Sequence, residues 1–243
     1  MPAFDELNKF KNPLFLVACS GLKQPGGQNQ PWPVPESIGP LLTAPLFDDL
    51  LQARQNVYGQ VLNDNRLTPR QIEINAGISN AHDLNGTVAN ASYLSARTRY
   101  QGFFYRVPGV TDVINDLARN NSILIISALY GLLRPCEFIQ NYNFPINRPY
   151  AQNTWVDIVP RLIAHIVTTC KHDSIVALLA GAYLNVIQAV PAYVAPIPCF
   201  RVVVNEYPGG NAFGVCSGLG HAMMHIVRGV PIPADYDCQL VNL

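Results

Sequence analysis

Three short segments carry residue types that could do chemistry: Cys19-Ser20-Gly21-Leu22-Lys23, Leu129-Tyr130-Gly131 and Ala180-Gly181-Ala182-Tyr183. Each joins a glycine, whose missing side chain lets backbone approach a ligand, to a hydroxyl, ring or ammonium that could bond or stack on it. Each also follows a short apolar run, at 13–19, 122–127 and 174–179, which reads as a buried strand bounded by turn residues. Ligands of open α/β sheets bind outside the carboxyl ends of the strands, so the three loops predict one shared pocket. A single glycine there is more simply a turn requirement, and it is the coincidence of three that argues for a site.

Within that pocket Lys23 could neutralise a phosphate or carboxylate. Cys19 could act as a nucleophile or redox sensor if a neighbouring cation lowered its pKa, although a thiol ending an apolar strand is more simply a packed core residue. Glu206 and Glu137 are the candidate acid or base. His221 and His225 lie four apart on the predicted last helix, a spacing that can present two metal ligands on one face. The glutamate of an H-E-x-x-H motif is missing and Met223 and Met224 lie between them, so an amphipathic face is the simpler reading, and neither metal nor cofactor is expected. The chain contains no P-loop, no G-x-G-x-x-G and no G-x-S-x-G.

The elements that must position these residues alternate. A helical apolar period runs over 46–62, and Thr68-Pro69-Arg70-Gln71 reads as a capped helix start. Another short helix is expected after Ser79, with further helices over 111–119, 154–170 and 218–227. Segments 200–205 and 212–216 flank Glu206-Tyr207-Pro208-Gly209-Gly210-Asn211, which predicts an antiparallel hairpin. Between 24 and 45 lie Pro25, Pro31, Pro33, Pro35, Pro40 and Pro45, too many for a helix, so this stretch reads as one irregular loop. The whole predicts a single α/β domain over 1–243, with a central mixed, partly parallel sheet flanked by helices.

Composition excludes several classes of function. Hydrophobic residues make up 49% and charged residues 13%, well under the roughly 25% charged fraction of typical soluble domains, so a large core is expected and disorder is not. Lys+Arg 16 balances Asp+Glu 16, which does not match the basic surplus of a protein that wraps nucleic acid and makes self-association into a homodimer a mild expectation. The six cysteines are scattered with no C-x-x-C pair, as for reduced thiols of a cytoplasmic protein. No stretch approaches 18 uninterrupted apolar residues, so no membrane partner is expected.

The segment Ile126-Ser127-Ala128-Leu129-Tyr130-Gly131-Leu132-Leu133-Arg134-Pro135, followed by Ile139-Gln140-Asn141-Tyr142, resembles the YaaA-family signature LSGLYGLLRP…IQPYRL. Ser20-Gly21-Leu22-Lys23 is similar to that family's SPAK, and Tyr100-Gln101-Gly102-Phe103-Phe104-Tyr105-Arg106 to its FxGxVYxGL. Ala180-Gly181-Ala182-Tyr183 resembles its ASxEY region, and Gly218-Leu219-Gly220-His221-Ala222-Met223-Met224 its ARGLM helix start. The matches keep the family's order along nearly the whole chain. Asn141 stands in place of a proline, Gly181 in place of an acidic or small residue, and Leu219 in place of an arginine, whose implied anion contact is absent.

The resemblance implies a compact α/β body with a positively charged cleft, DNA binding and resistance to peroxide stress. It also extends faintly to the archaeosine-synthase relatives, whose domain is similar to uracil-DNA glycosylase, which implies base or nucleoside chemistry such as N-glycosidic hydrolysis or transfer. Two readings follow. In the first the protein binds DNA, with Lys23, Arg99, Arg106 and Arg134 on phosphates and Tyr130 or Tyr142 stacking on bases. In the second a nucleobase or nucleotide ligand occupies the strand-end pocket, held by Ser20, Lys23, Tyr130, Gly131, Arg134, Tyr142, Gly181, Tyr183 and Gly220. A small-molecule enzyme of a specialised pathway on the same fold is the third possibility.

Overall fold

A computed structural model of the chain describes residues 4–27, 37–78 and 92–243. At its centre β1, Pro13–Ala18, pairs in parallel with both β3, Ile123–Ser127, and β6, Ser174–Leu178. The fourth parallel strand is β7, Cys199–Glu206, and antiparallel β4, Gly131–Leu133, and β8, Asp237–Asn242, close the two edges in the order β4-β3-β1-β6-β7-β8. The central strands read as unbroken apolar runs because helices cover both of their faces, as parallel sheets require. β3 and β6 are buried at every position.

Two groups of helices provide that cover. α1, Ala44–Leu62, packs on α5, Pro149–Cys170, and α5 in turn on α6, Ala182–Ile187, and α7, Val190–Val194. α4, Val110–Arg119, packs on α8, Ala212–Arg228. Crossovers between parallel strands are right-handed, so those that move in opposite directions along the sheet lie on opposite faces. α4 lies in the step from β1 to β3, and α5 in the reverse step from β3 to β6; α6 and α7 continue that second direction. The chain therefore reverses at β1, which puts the switch point of the sheet, the crevice where open α/β sheets take ligands, between the carboxyl ends of β1 and β6.

The capped start at Thr68 is present as drawn from the sequence. α2, Pro69–Ala76, opens with Gln71 N donating to Thr68 Oγ1 at 3.3 Å and Thr68 N donating to Gln71 Oε1 at 2.9 Å. The expected helix after Ser79 lies outside the described residues, as does much of the proline-rich stretch, whose described end carries a short 3-10 turn at Gly39–Leu41. A two-stranded ribbon of β2, Leu94–Ser95, and β5, Phe138–Ile139, and the single turn α3, Ala96–Arg99, complete the elements around the crevice.

Two expectations are corrected. Segment 212–216 is not the return strand of a hairpin but the first turn of α8, started by Asn211, whose Oδ1 accepts from Phe213 N at 2.9 Å and Gly214 N at 3.1 Å. The antiparallel partner of β7 is β8, far later in the chain. Leu129-Tyr130-Gly131 is not an open loop over a pocket but the tight turn from β3 into edge strand β4. Gly131 adopts φ +69°, and a Cβ there would lie 2.6 Å from the Trp155 ring, so glycine is demanded by core packing.

Candidate functional site

Two of the three predicted loops meet at the crevice. β1 ends into Cys19, and β6 ends into Gly181 and then Tyr183 at the start of α6. Cys19 Sγ lies 3.0 Å from Tyr183 Oη, which ties the two strand ends together across the reversal point. After Cys19 the chain turns sharply: Leu22 N donates to Ser20 Oγ at 3.1 Å, and Lys23 curls back so that Nζ donates to Ser20 O at 2.6 Å. Gln101 N on Leu22 O at 2.9 Å and Gln24 N on Arg99 O at 2.7 Å dock this loop on the 99–102 segment.

Lys23 Nζ lies 3.8 Å from the centroid of Tyr142 and 5.6 Å from that of Tyr100. Beneath it runs a chain of hydroxyls, with Tyr100 Oη 2.9 Å from Tyr142 Oη and Tyr142 Oη 2.8 Å from Ser127 Oγ. Ser127 Oγ accepts from Tyr130 N at 3.0 Å, and Tyr105 Oη donates to Ala18 O at 2.7 Å. Burial, reinforced by the nearby Cys19 sulfur, pushes the phenols of Tyr100, Tyr105, Tyr142 and Tyr183 well above their ordinary range. They are neutral and can act as donors.

The ammonium above them moves in the other direction. Burial pulls Lys23 from 10.5 down to about 8, with Cys19 opposing and Arg99 adding to the shift. No ion pair among the described residues includes Lys23. Among the described residues a carbonyl, two ring faces and the Cys19 sulfur lie about it, and no carboxylate pairs with it.

Several expected site residues serve the framework instead. Tyr130 is 1% exposed, and its hydroxyl accepts from Gln140 N at 3.0 Å. Tyr142 is equally buried, so neither ring stands free to stack on a base. Arg99 is wholly buried and gathers the carbonyls of Gln24, Gly26, Ser92 and Ile139. Arg134 donates to Ser37 O at 3.2 Å. Gly220 lies inside α8, where a Cβ would come 2.7 Å from Val107 Cγ2. Gly181 is exposed at the head of α6 with φ +56°.

Of the two carboxylates, Glu137 is fully buried and paired with Arg54 at 2.9 Å, so it is a structural ion and not a reachable acid or base. Burial raises its pKa, with Arg54 and the backbone N–H groups of Arg134 and Ile38 opposing. Glu206 ends β7 and is exposed. Of the two histidines on α8, His225 Nδ1 is 3.0 Å from Val230 O and His221 packs on Tyr236.

Sequence reasoning passed over Arg54, whose Nε and Nη2 hold Tyr130 O and Leu132 O at 2.9 Å each while Nη2 meets Glu137. The signal was present, because Arg54 occupies the buried stripe of α1 between Leu50 and Val57, where a charge demands a partner. It also passed over Phe103 and Phe213. These rings lie 4.5 Å apart, are 39% and 58% exposed, and join the segment beside Ser20 to the first turn of α8.

Among the described residues one cavity of about 300 Å³ lies between the end of α1 and α2, and one of about 400 Å³ beside α6. The first contains none of the expected site residues, and the second reaches the crevice at Gly181. Among the described residues no three His, Cys, Asp or Glu side chains gather as a metal set, and no helix is long and apolar enough to cross a membrane. Compared with protein-family models and with curated proteins, the chain matches none.

Proposed function

We propose that the crevice between β1 and β6 binds a nucleobase- or nucleotide-type ligand, with its anionic group on Lys23 and its ring against the exposed Phe103–Phe213 pair. The observation that carries this reading is the Lys23 ammonium, set on the Tyr142 face at the reversal point of the sheet with no carboxylate paired to it among the described residues. An oxyanion arriving there supplies the missing charge and restores the ordinary basicity of the lysine. Phe103 follows Gly102, which abuts Ser20, so an exposed aromatic surface adjoins the cation.

A compact ligand suits the site better than a duplex does. Of the four basic residues that a DNA reading would lay along phosphates, Arg99 is inside the protein and Arg134 is turned onto Ser37 O, which leaves Lys23 and exposed Arg106. The likeness to the YaaA signature supports a base-containing ligand, and through that family a part in defence against peroxide.

Calorimetric titration with a nucleoside, its monophosphate and a short single-stranded oligonucleotide tests the proposal. The monophosphate is expected to bind more tightly than the nucleoside, and Lys23→Met to erase that difference. Saturable binding of none of the three, or equal binding by the parent and Lys23→Met, overturns it. Tight, steeply salt-dependent binding of the oligonucleotide alone replaces it with the nucleic-acid reading.

A further inference from the structure

The cavity beside α6 is lined by Gly181, Leu184, Asn185, Gln188, Arg201, Asn242 and Leu243. It contains one cation and three side-chain amides, with no Asp or Glu. Arg201 lies on β7 in register with Ala177 of β6 and Val241 of β8, so its backbone is fixed by strands on both sides. None of the described ion pairs includes Arg201, and its Nε is fully buried with no hydrogen-bond partner among the described residues.

A guanidinium N–H taken out of water and left unpaired is costly, and proteins rarely leave one so. Arg99 Nε is buried in the same way, but the other nitrogens of Arg99 hold four carbonyls, Arg54 holds two carbonyls and Glu137, and Arg148 pairs with Asp64. Arg201 differs in opening onto a cavity of about 400 Å³, within the size range of small-molecule pockets. The two Nη groups of the planar guanidinium, which are not among the buried unpaired atoms, can meet two oxygens of a carboxylate or phosphate. Asn185, exposed on α6, and Gln188, exposed at its C-cap, offer amide N–H groups to the remaining oxygens.

We infer that this cavity is a second binding site, for the oxyanion of a small polar molecule, carboxylate or phosphate, held by Arg201 with Asn185 and Gln188. It is separate from Lys23 but shares Gly181 with the crevice, so a ligand here borders the first site.

Arginine Nε–H signals followed by nitrogen-resolved NMR on the full chain provide the test, with inorganic phosphate and succinate as separate probes. The Arg201 Nε–H signal, assigned by its loss in Arg201→Lys, is expected to shift saturably with at least one probe, with half-saturation near or below about 1 mM. The probe that acts identifies the anion class. Asn185→Leu and Gln188→Leu alter only exposed positions and are expected to weaken binding several-fold in a folded chain. Lys23→Met is expected to leave the response intact, which separates failure here from failure of the crevice reading. No saturable shift with either probe, or shifts unchanged in both the Asn185 and Gln188 variants, overturns the inference.

Discussion

Replacing Lys23 with methionine removes the ammonium but keeps an unbranched stem to lie on Tyr142. Holding the lysine at about 8 instead of 10.5 corresponds to a penalty of roughly 3 kcal/mol on its charged form in the folded chain, at about 1.36 kcal/mol per pKa unit. The side chain is partly exposed and solvent screens part of this, while the cation–π contact with Tyr142 returns about 0.5–1 kcal/mol. Lys23→Met is therefore expected to be more stable than the parent by about 1–2 kcal/mol at neutral pH, or about 2–8 °C in Tm for a chain of this length.

The sign of the pH dependence follows from the direction of the shift. Between about 8 and 10.5 the unfolded lysine still binds a proton that the folded one has released, so the parent gains stability as pH rises through this window. The advantage of the variant is thus full below about pH 8 and closes towards pH 10.5. Titrating groups remote from Lys23 are common to both chains and cancel in the difference. Urea unfolding of both proteins across the range measures it, and the same variant is expected to lose phosphate-dependent ligand binding. A variant less stable than the parent at neutral pH, with a gap that does not change up to about pH 10, refutes the claim that Lys23 is held at a cost for an incoming anion.

Breaking the buried Arg54–Glu137 pair by Glu137→Leu or Arg54→Met alone is expected to cost about 3–5 kcal/mol, because the surviving charge is left in the core. The double variant is expected to recover much of that loss in a urea double-mutant cycle, and additive losses would argue against coupling. Gly131→Ala is expected to cost about 2–5 kcal/mol, combining about 1–2 for a left-handed residue with about 1–3 for overpacking against Trp155. Tryptophan fluorescence during unfolding reads that change directly. Burial pushes the Cys199 and Cys238 thiols up to about 11, so at neutral pH both are expected to react with a disulfide reagent far more slowly in the folded than in the urea-unfolded protein; equal rates would contradict their placement.

The sequence by itself determined the α/β class and the three central strands, because a run buried on both faces must be continuously apolar and such runs stand out at 13–19, 122–127 and 174–179. It also determined the Thr68 cap, since a capping box is a local contract between residues three apart. What lies across long sequence separations was not legible. The glycine of Tyr130-Gly131 was visible, but the reason for it is Trp155, on a helix that begins after the next strand pair. Segment 212–216 has a strand-like beginning, yet Asn211 caps a helix there, and the true partner of β7 comes from the far end of the chain.

The candidate site divides in the same way. Cys19, Lys23 and Tyr183 were legible as residues after strands, but their meeting depends on β1 and β6 being neighbours, which is a property of strand order. Burial then sorted residues of one type into different roles. Arg99 and Arg54 became internal ties because carbonyls surround them, whereas Lys23 and Arg201 have no carboxylate paired with them among the described residues. Charge is written in the sequence, but whether a charge is already spent is decided by what the fold brings within hydrogen-bonding distance of it.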